Sequence, residues 1–234
     1  MRATGVATAG VAAAWTLPGL APHARPLARA LGIARVLERP EHAVALTFDD
    51  GPHPEGTPAV LEILRERGAV ATFFLVGADV ERHPGLAAEV AAAGHAIAVH
   101  GHRHRNLMRV TPRATAVDLN RAAAAIGAAT GRALDLYRPP YGIFTPAALR
   151  HIRRRGWRPL LWSRWGADWR ARTTPQEIAA RATDDVEPGD VILLHDADTY
   201  SAPGSHRRTA AALPLILDAL EARGLTPTVP GTCI

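Results

Sequence analysis

The sequence predicts an α/β fold, a distorted (β/α) barrel of about seven parallel strands, and three observations predict it. Short apolar runs alternate with helical patterns at spacings of roughly 25–35 residues, the mark of βαβ units in a parallel sheet. Polar clusters stand at or just beyond five predicted strand ends, whereas an open sheet concentrates its chemistry at one switch point supplied by two strands. The chain has 234 residues, which is short for eight βα units, so a reduced barrel fits better than a full one.

The elements follow in order. Ala3 to Ala24 contains no Asp, Glu, Lys or Arg and follows Arg2. It reads either as a signal peptide or membrane anchor, or as an amphipathic tail. Pro22, Pro26 and Pro40 punctuate the run that follows, so residues 1–41 are expected to be leader or linker and 42–234 the folded domain. Ala43–Phe48, Ala71–Val76, Ala96–His100, Asp135–Tyr137, Trp157–Trp162 and Val191–Leu194 read as buried strands. Thr57, Thr111, Thr145 and Thr174 each precede a proline, the pairing of a hydroxyl N-cap with a residue whose missing N–H costs nothing at the first helical position. Gly68, Gly94, Gly131, Gly156 and Gly224 each close a helical run, where a left-handed cap needs no Cβ. Pro214 lies inside the last run, Thr209–Arg223, which is expected to begin or kink there.

With 47% hydrophobic and 21% charged residues, the chain is neither disordered nor a multi-span membrane protein. Its one cysteine, Cys233, excludes an internal disulfide and any CxxC site. The net charge of +5 is carried by arginine alone, since the chain has no lysine. Such a balance favours anionic surfaces, whether cell wall, lipid or nucleic acid. The densest run, His151–Arg155, falls at a predicted helix end, where cations suit the dipole. No nucleic-acid-binding module accompanies it.

The chemistry-bearing residues follow the strands. Asp49 and Asp50 are adjacent at a strand end, so their carboxylates point apart and can take different tasks, one toward a cation and one toward a proton; Asp-Asp-Gly-Pro is equally ordinary turn chemistry. His100 and His104 share a face if the segment turns helically, and with one carboxylate they form a three-ligand set that leaves a position open, the pattern of a catalytic zinc. A solvated Arg/His loop is the bland reading of the same residues. His102 between them takes no role. His195 ends an apolar run, which suits a general acid or base held at a pocket mouth, or a satisfied histidine at the edge of the core. Asp168 is placed to orient it, while Asp196 and Asp198 read as turn or cap residues.

Taken together, these residues resemble the polysaccharide deacetylases of carbohydrate esterase family 4, the NodB-homology domain. The resemblance runs from about Ala43 to Val229. It rests on five motifs in order: Thr47-Phe48-Asp49-Asp50-Gly51, the His100–His104 pair, Arg138-Pro139-Pro140-Tyr141-Gly142, Asp168-Trp169, and the apolar run ending at His195. The resemblance implies that Asp49 is the catalytic base and that Asp50, His100 and His104 hold a divalent metal, zinc first, with cobalt or nickel as alternatives. It implies that Arg138 tunes the base and that the Tyr141 N–H faces the oxyanion. Trp169 and Leu193 would wall the acetyl pocket, and His195 would be the general acid with Asp168 as partner. Gly101 stands where the family usually carries Ser or Thr. Trp165 stands where it usually carries Asp, which adds an indole to the expected pocket and a stacking surface for sugar.

The expected reaction is N-deacetylation of an N-acetylglucosamine-containing glycan of peptidoglycan or chitin type. O-acetyl ester hydrolysis of acetylxylan type, or deacetylation of a small amide, would use the same site. A glycan-binding relic would typically have lost a ligand or the base. The expected setting is the cell envelope, reached by secretion or by membrane or cell-wall association through the N-terminus, as a monomer with no nucleic-acid partner.

Overall fold

The computed structural model describes residues 16–38 and 41–230. A first short helix, α1 (Arg25–Ala30), leads into β1 (Ala43–Asp49) and α2 (Gly56–Glu66). Then come β2 (Thr72–Leu75), α3 (Gly77–Arg82), α4 (Pro84–Ala92), β3 (Ala96–Val99), α5 (Pro112–Thr130), β4 (Leu136–Tyr137) and α6 (Pro146–Arg154). The chain continues through β5 (Arg158–Pro159), β6 (Arg164–Trp165), α7 (Pro175–Thr183), β7 (Val191–His195), α8 (Ser205–Glu221) and β8 (Thr226–Thr228). The sheet order is β5-β4-β3-β2-β1-β7-β6, with β8 beside the start of β1, and every pairing is parallel. Seven strands thus curl into an incomplete barrel, as the alternating pattern predicts. The run Trp157–Trp162 is not one strand: β5 ends at Pro159 and the chain re-enters the sheet as β6.

Strand alternation sorts the core. Val44, Leu46 and Phe48 of β1 join the layer beneath the helices, together with Val60, Leu64, Leu213 and Ile216. Ala45 faces the other way, into a smaller cluster with Phe74, Ala98, Leu136, Leu160 and Val191. Burial on both faces is why these strands read as continuous apolar runs.

The chain before the expected boundary at His42 also packs against the barrel. Ala21, Ala28, Ile33 and Leu37 are buried, and the segment around Ala34–Leu37 spans the seam between the sheet's two edges. The Ala34 N–H donates to the Pro159 carbonyl at 3.1 Å, and the Ala34 carbonyl accepts from Leu161 at 2.8 Å. On the other side the Leu37 N–H donates to Gly189 at 2.8 Å, next to a bridge between Val36 and Asp190. An open barrel leaves strand edges and interior side chains uncovered, and this segment covers both. The region is rich in Pro and Ala, so its composition resembles a linker while its position is structural. The signal-peptide or anchor expectation rests mostly on residues 1–15, outside the described residues, as does Cys233.

Thr111, Thr145 and Thr174 cap their helices through their hydroxyls, the last as a full capping box. Thr57 does not. Its helix starts a residue earlier, and its hydroxyl donates instead to Asp196. The last long helix starts at Ser205 and continues through Pro214 rather than beginning there.

Candidate active site

The C-terminal ends of the strands converge on one cavity of about 290 Å³. In register, Asp49 of β1 stands beside His195 of β7 on one side and Phe74 of β2 on the other. His100 follows the last residue of β3, and Arg138 follows the last of β4. Asp49, Asp50, His100, His104, Tyr141, Trp169, Leu193 and His195 all line the cavity. Asp49 and Asp50 are 2% and 3% exposed, so their charges must be met inside the protein.

Arg138 meets one of them. It is fully buried, and its Nη1 donates to Asp49 Oδ1 at 2.7 Å and to the Thr47 hydroxyl at 2.9 Å. Nε and Nη2 donate to the carbonyls of Leu160 and Leu161, and the guanidinium lies 4.0 Å over the Phe74 ring. Burial lowers its pKa, and the Asp49 carboxylate pulls against that. One Asp49 oxygen is therefore occupied, while Oδ2 faces His100 Nε2 at 3.7 Å.

Asp50, His100 and His104 form a compact triad. Asp50 Oδ1 lies 3.4 Å from His100 Nε2 and 3.1 Å from His104 Nε2, yet it makes no hydrogen bond of good geometry and is buried. Three donor atoms lie within 4.8 Å of one another. An orphaned, buried carboxylate oxygen between two imidazole nitrogens fits a divalent cation. Burial alone would raise the Asp50 carboxyl, but the two imidazoles beside it hold it well below the usual carboxylate range. His100 is oriented by its other nitrogen, Nδ1, at 2.9 Å from the Arg138 carbonyl. Among the described residues His104 Nδ1 has no hydrogen-bond partner. Its ring is held instead by stacking on Tyr200, with centroids 4.0 Å apart and planes 12° apart, and by the edge of Tyr141.

A second trio, His53, Asp198 and His206, also lies within that span. There His53 Nδ1 accepts the backbone N–H groups of Glu55 and Gly56, so its Nε2 carries the proton and faces Asp198 at 3.3 Å. That tautomer turns an N–H rather than a lone pair of His53 toward Asp198, while His206 Nδ1 lies 3.2 Å from Asp198 Oδ2; in the first triad both Nε2 atoms face the Asp50 oxygen.

On the opposite wall, Asp168 is fully buried and bonds His195 twice. Its Oδ1 lies 3.0 Å from the ring Nδ1, and its Oδ2 accepts the His195 backbone N–H at 2.7 Å. The Thr209 hydroxyl completes the cage. Burial would lower the imidazole's pKa, but the Asp168 charge and hydrogen bond, joined by Asp50 and Asp49, raise it to about 10. With Nδ1 occupied, Nε2 is the ring atom left for the cavity. Trp169 packs edge-on against this ring at 5.5 Å.

One expectation about the walls changes. Trp165 does not line the cavity; it sits on β6, the edge strand, and is 42% exposed because no further strand covers it. Trp162, in the break between β5 and β6, takes that place, and Tyr200 and Ser201 complete the wall from the loop after β7. Sequence reasoning missed these three because they lie in irregular segments without a periodic signal. Gly101 is also explained: its φ is +86°, and the loop is tied by Asp118, whose Oδ2 accepts the His102 N–H at 2.7 Å. Asp196 stands in the bend after β7, as a turn residue would, but not at the surface. It is fully buried, and burial raises its carboxyl to about 7 against the opposing pull of the Thr57 hydroxyl.

Known proteins resemble this chain in both sequence and fold. A family model for polysaccharide deacetylases matches residues 37–160. The chain is 35% identical over 201 residues to a chitooligosaccharide deacetylase of Azorhizobium caulinodans, covering 83% of this chain and 95% of the relative. It is 34% identical over 187 residues to a peptidoglycan-N-acetylglucosamine deacetylase of Bacillus cereus, covering 79% and 84%. Among solved structures, a family 4 carbohydrate esterase from Streptomyces lividans in complex with acetate superposes with a TM-score of 0.74 at 28% identity, over 83% of this chain and 96% of that one.

Proposed function

Because the chain belongs to the polysaccharide deacetylases, the hydrolases of carbohydrate esterase family 4, we propose that it removes N-acetyl groups from an N-acetylglucosamine-containing glycan. In this reading Asp49 is the base, His195 the acid, and Asp50, His100 and His104 the metal ligands. The observation that carries it is the placement of Asp49 and His195 side by side in register, flanking an orphaned Asp50 oxygen and two imidazoles.

A divalent ion held by Asp50, His100 and His104 would polarise the acetyl carbonyl and bring the pKa of a water from 15.7 towards about 7. The protein's own residues do the rest. Arg138 holds Asp49 Oδ1, leaving Oδ2 to take the proton of the attacking water. Tyr141, in the left-handed region at φ 61°, would present its N–H to the developing oxyanion, a type of contact worth about 3 kcal/mol. Asp168 occupies His195 Nδ1, so the protonated ring donates from Nε2 to the departing amine, which cannot leave as an anion. Trp169, Leu193 and Trp162 would exclude water around the acetyl methyl. Acetate and a free amino sugar result.

Relatives named for peptidoglycan support an extracytoplasmic setting; no described helix is long and apolar enough to cross a membrane. The test is acetate release from chitooligosaccharide, peptidoglycan glycan strands and acetylxylan, with and without chelator. Release from the first two that stops on chelation and returns with zinc is expected. Release only from acetylxylan would replace the N-deacetylase reading by an esterase. Chelator-insensitive release would remove the metal from it.

A further inference from the structure

The loop that carries His100 and His104 has a second side. Its intervening and following residues, His102, Arg103 and Arg105, line a separate cavity of about 430 Å³, whose far wall is the first turns of α5 with Arg113 and Asp118. The active-site cavity and this one therefore share the 100–105 loop as a common wall.

The charges here are unbalanced. Glu81 is committed to Arg121 through bonds of 3.0 and 2.9 Å. Asp118 is turned to the loop, accepting the His102 N–H. Arg103 feels the Glu81 charge, but Arg103, Arg105 and Arg113 make no hydrogen bond or ion pair among the described residues, so beyond the Arg121–Glu81 pair three guanidiniums line the concave wall with Asp118 as its lining carboxylate. The α5 N-terminus opens onto the same space, its first turn capped by Thr111, and its dipole adds to the positive potential. A lined cleft of one sign focuses the field on an anion more than scattered surface arginines do. The arginines at the end of α6 differ: they sit at a helix C-terminus, where the dipole already accounts for them.

We propose that this cavity is a subsite for an anionic substituent of the glycan being deacetylated. The substrate is then an acidic strand of peptidoglycan type, whose lactyl and peptide carboxylates seat against Arg103, Arg105 and Arg113, rather than a neutral chitin-type oligomer. The proposal rests on the deacetylase reading and narrows its substrate.

The test compares wild type with Arg113→Glu, which is remote from the metal triad in sequence, and with Arg103→Glu/Arg113→Glu. Acetate release is measured from soluble peptidoglycan strands and from neutral chitooligosaccharide at two salt concentrations. On the acidic strand, KM is expected to rise roughly fivefold or more per reversed charge at low salt, with kcat nearly unchanged and the effect shrinking in high salt. On the neutral oligomer, neither variant should change kcat or KM, and the unchanged kcat shows that each is folded. Equal KM for both substrates with no response to the reversals overturns the subsite while leaving the deacetylase reading intact. No acetate from either substrate overturns both. Lost binding to DNA or to anionic lipid vesicles, with KM for both glycans unchanged, also overturns the subsite by assigning the patch to another polyanion.

Discussion

His104 shows how a single side chain is positioned without the usual hydrogen bond. A metal-binding histidine normally fixes its tautomer through its second nitrogen; His104, proposed as such a ligand, has Nδ1 buried with no hydrogen-bond partner among the described residues, and its ring is clamped by Tyr200 and Tyr141. Tyr200→Ala is therefore expected to weaken zinc affinity roughly tenfold, measured by competition with a chelating dye, whereas Tyr200→Phe keeps the ring and most of the affinity. Equal affinity in the Ala variant would show that the stack carries no weight. At His195 the decisive partner is Asp168. Asp168→Asn removes the charge that raises the imidazole, so the His195 ring, the proposed acid, loses its proton at lower pH. The alkaline limb of the kcat/KM profile should move to lower pH, and an unmoved limb would assign that limb to another group.

Between the elements, Asp196 links the start of α2 to the loop after β7. It accepts the Thr57 hydroxyl, and Gly56 is needed because a Cβ there would overlap the Asp196 carbonyl. Its carboxyl, ordinary in the unfolded chain, is raised to about 7 by burial. Between roughly pH 4 and 7 the native state therefore binds the extra proton, and this group's contribution to stability falls as pH rises through that window and stays lower above it. Asp196→Asn removes the titration. Its urea midpoint relative to wild type should climb from pH 4 to 7 and then level off; a difference that does not vary with pH would contradict the shift.

For the molecule as a whole, the seam between β5 and β6 is the weak point, and the chain before β1 covers it. A chain beginning at His42 would lose the backbone bonds of Ala34 and Leu37 and expose the barrel interior around Leu37. Against a version beginning at Thr16, it is expected to lose several kcal/mol of stability, consistent with uncovering several apolar side chains. Identical thermal midpoints would restore the reading of this segment as a linker.

Much of this was legible in the order of residues, and the legible part has a common cause. The βα alternation, three of the four threonine caps and the glycine stops are local: each depends on a periodicity or on one backbone conformation. The motif residues Asp49, Asp50, His100, Arg138 and His195 stand at or just after strand ends, so locating the strands located them. Trp165 misled because its position in the motif says nothing about the edge strand that exposes it. Trp162 and Tyr200 were illegible because an irregular segment has no period to betray which way a side chain turns.

The order of residues alone was enough for the parallel barrel, for the gathering of polar side chains at its C-terminal face, and for their types. How the barrel's seam is covered, which aromatics form the cavity wall, and that Arg103 and Arg105 share a loop with His100 and His104 followed only from the tertiary packing. The reason is the range of the interactions. Helix caps and strand alternation act over a few neighbouring residues, whereas seams, walls and charge clefts come from segments more than a hundred residues apart, such as Ala34 with Leu161 and Asp49 with His195.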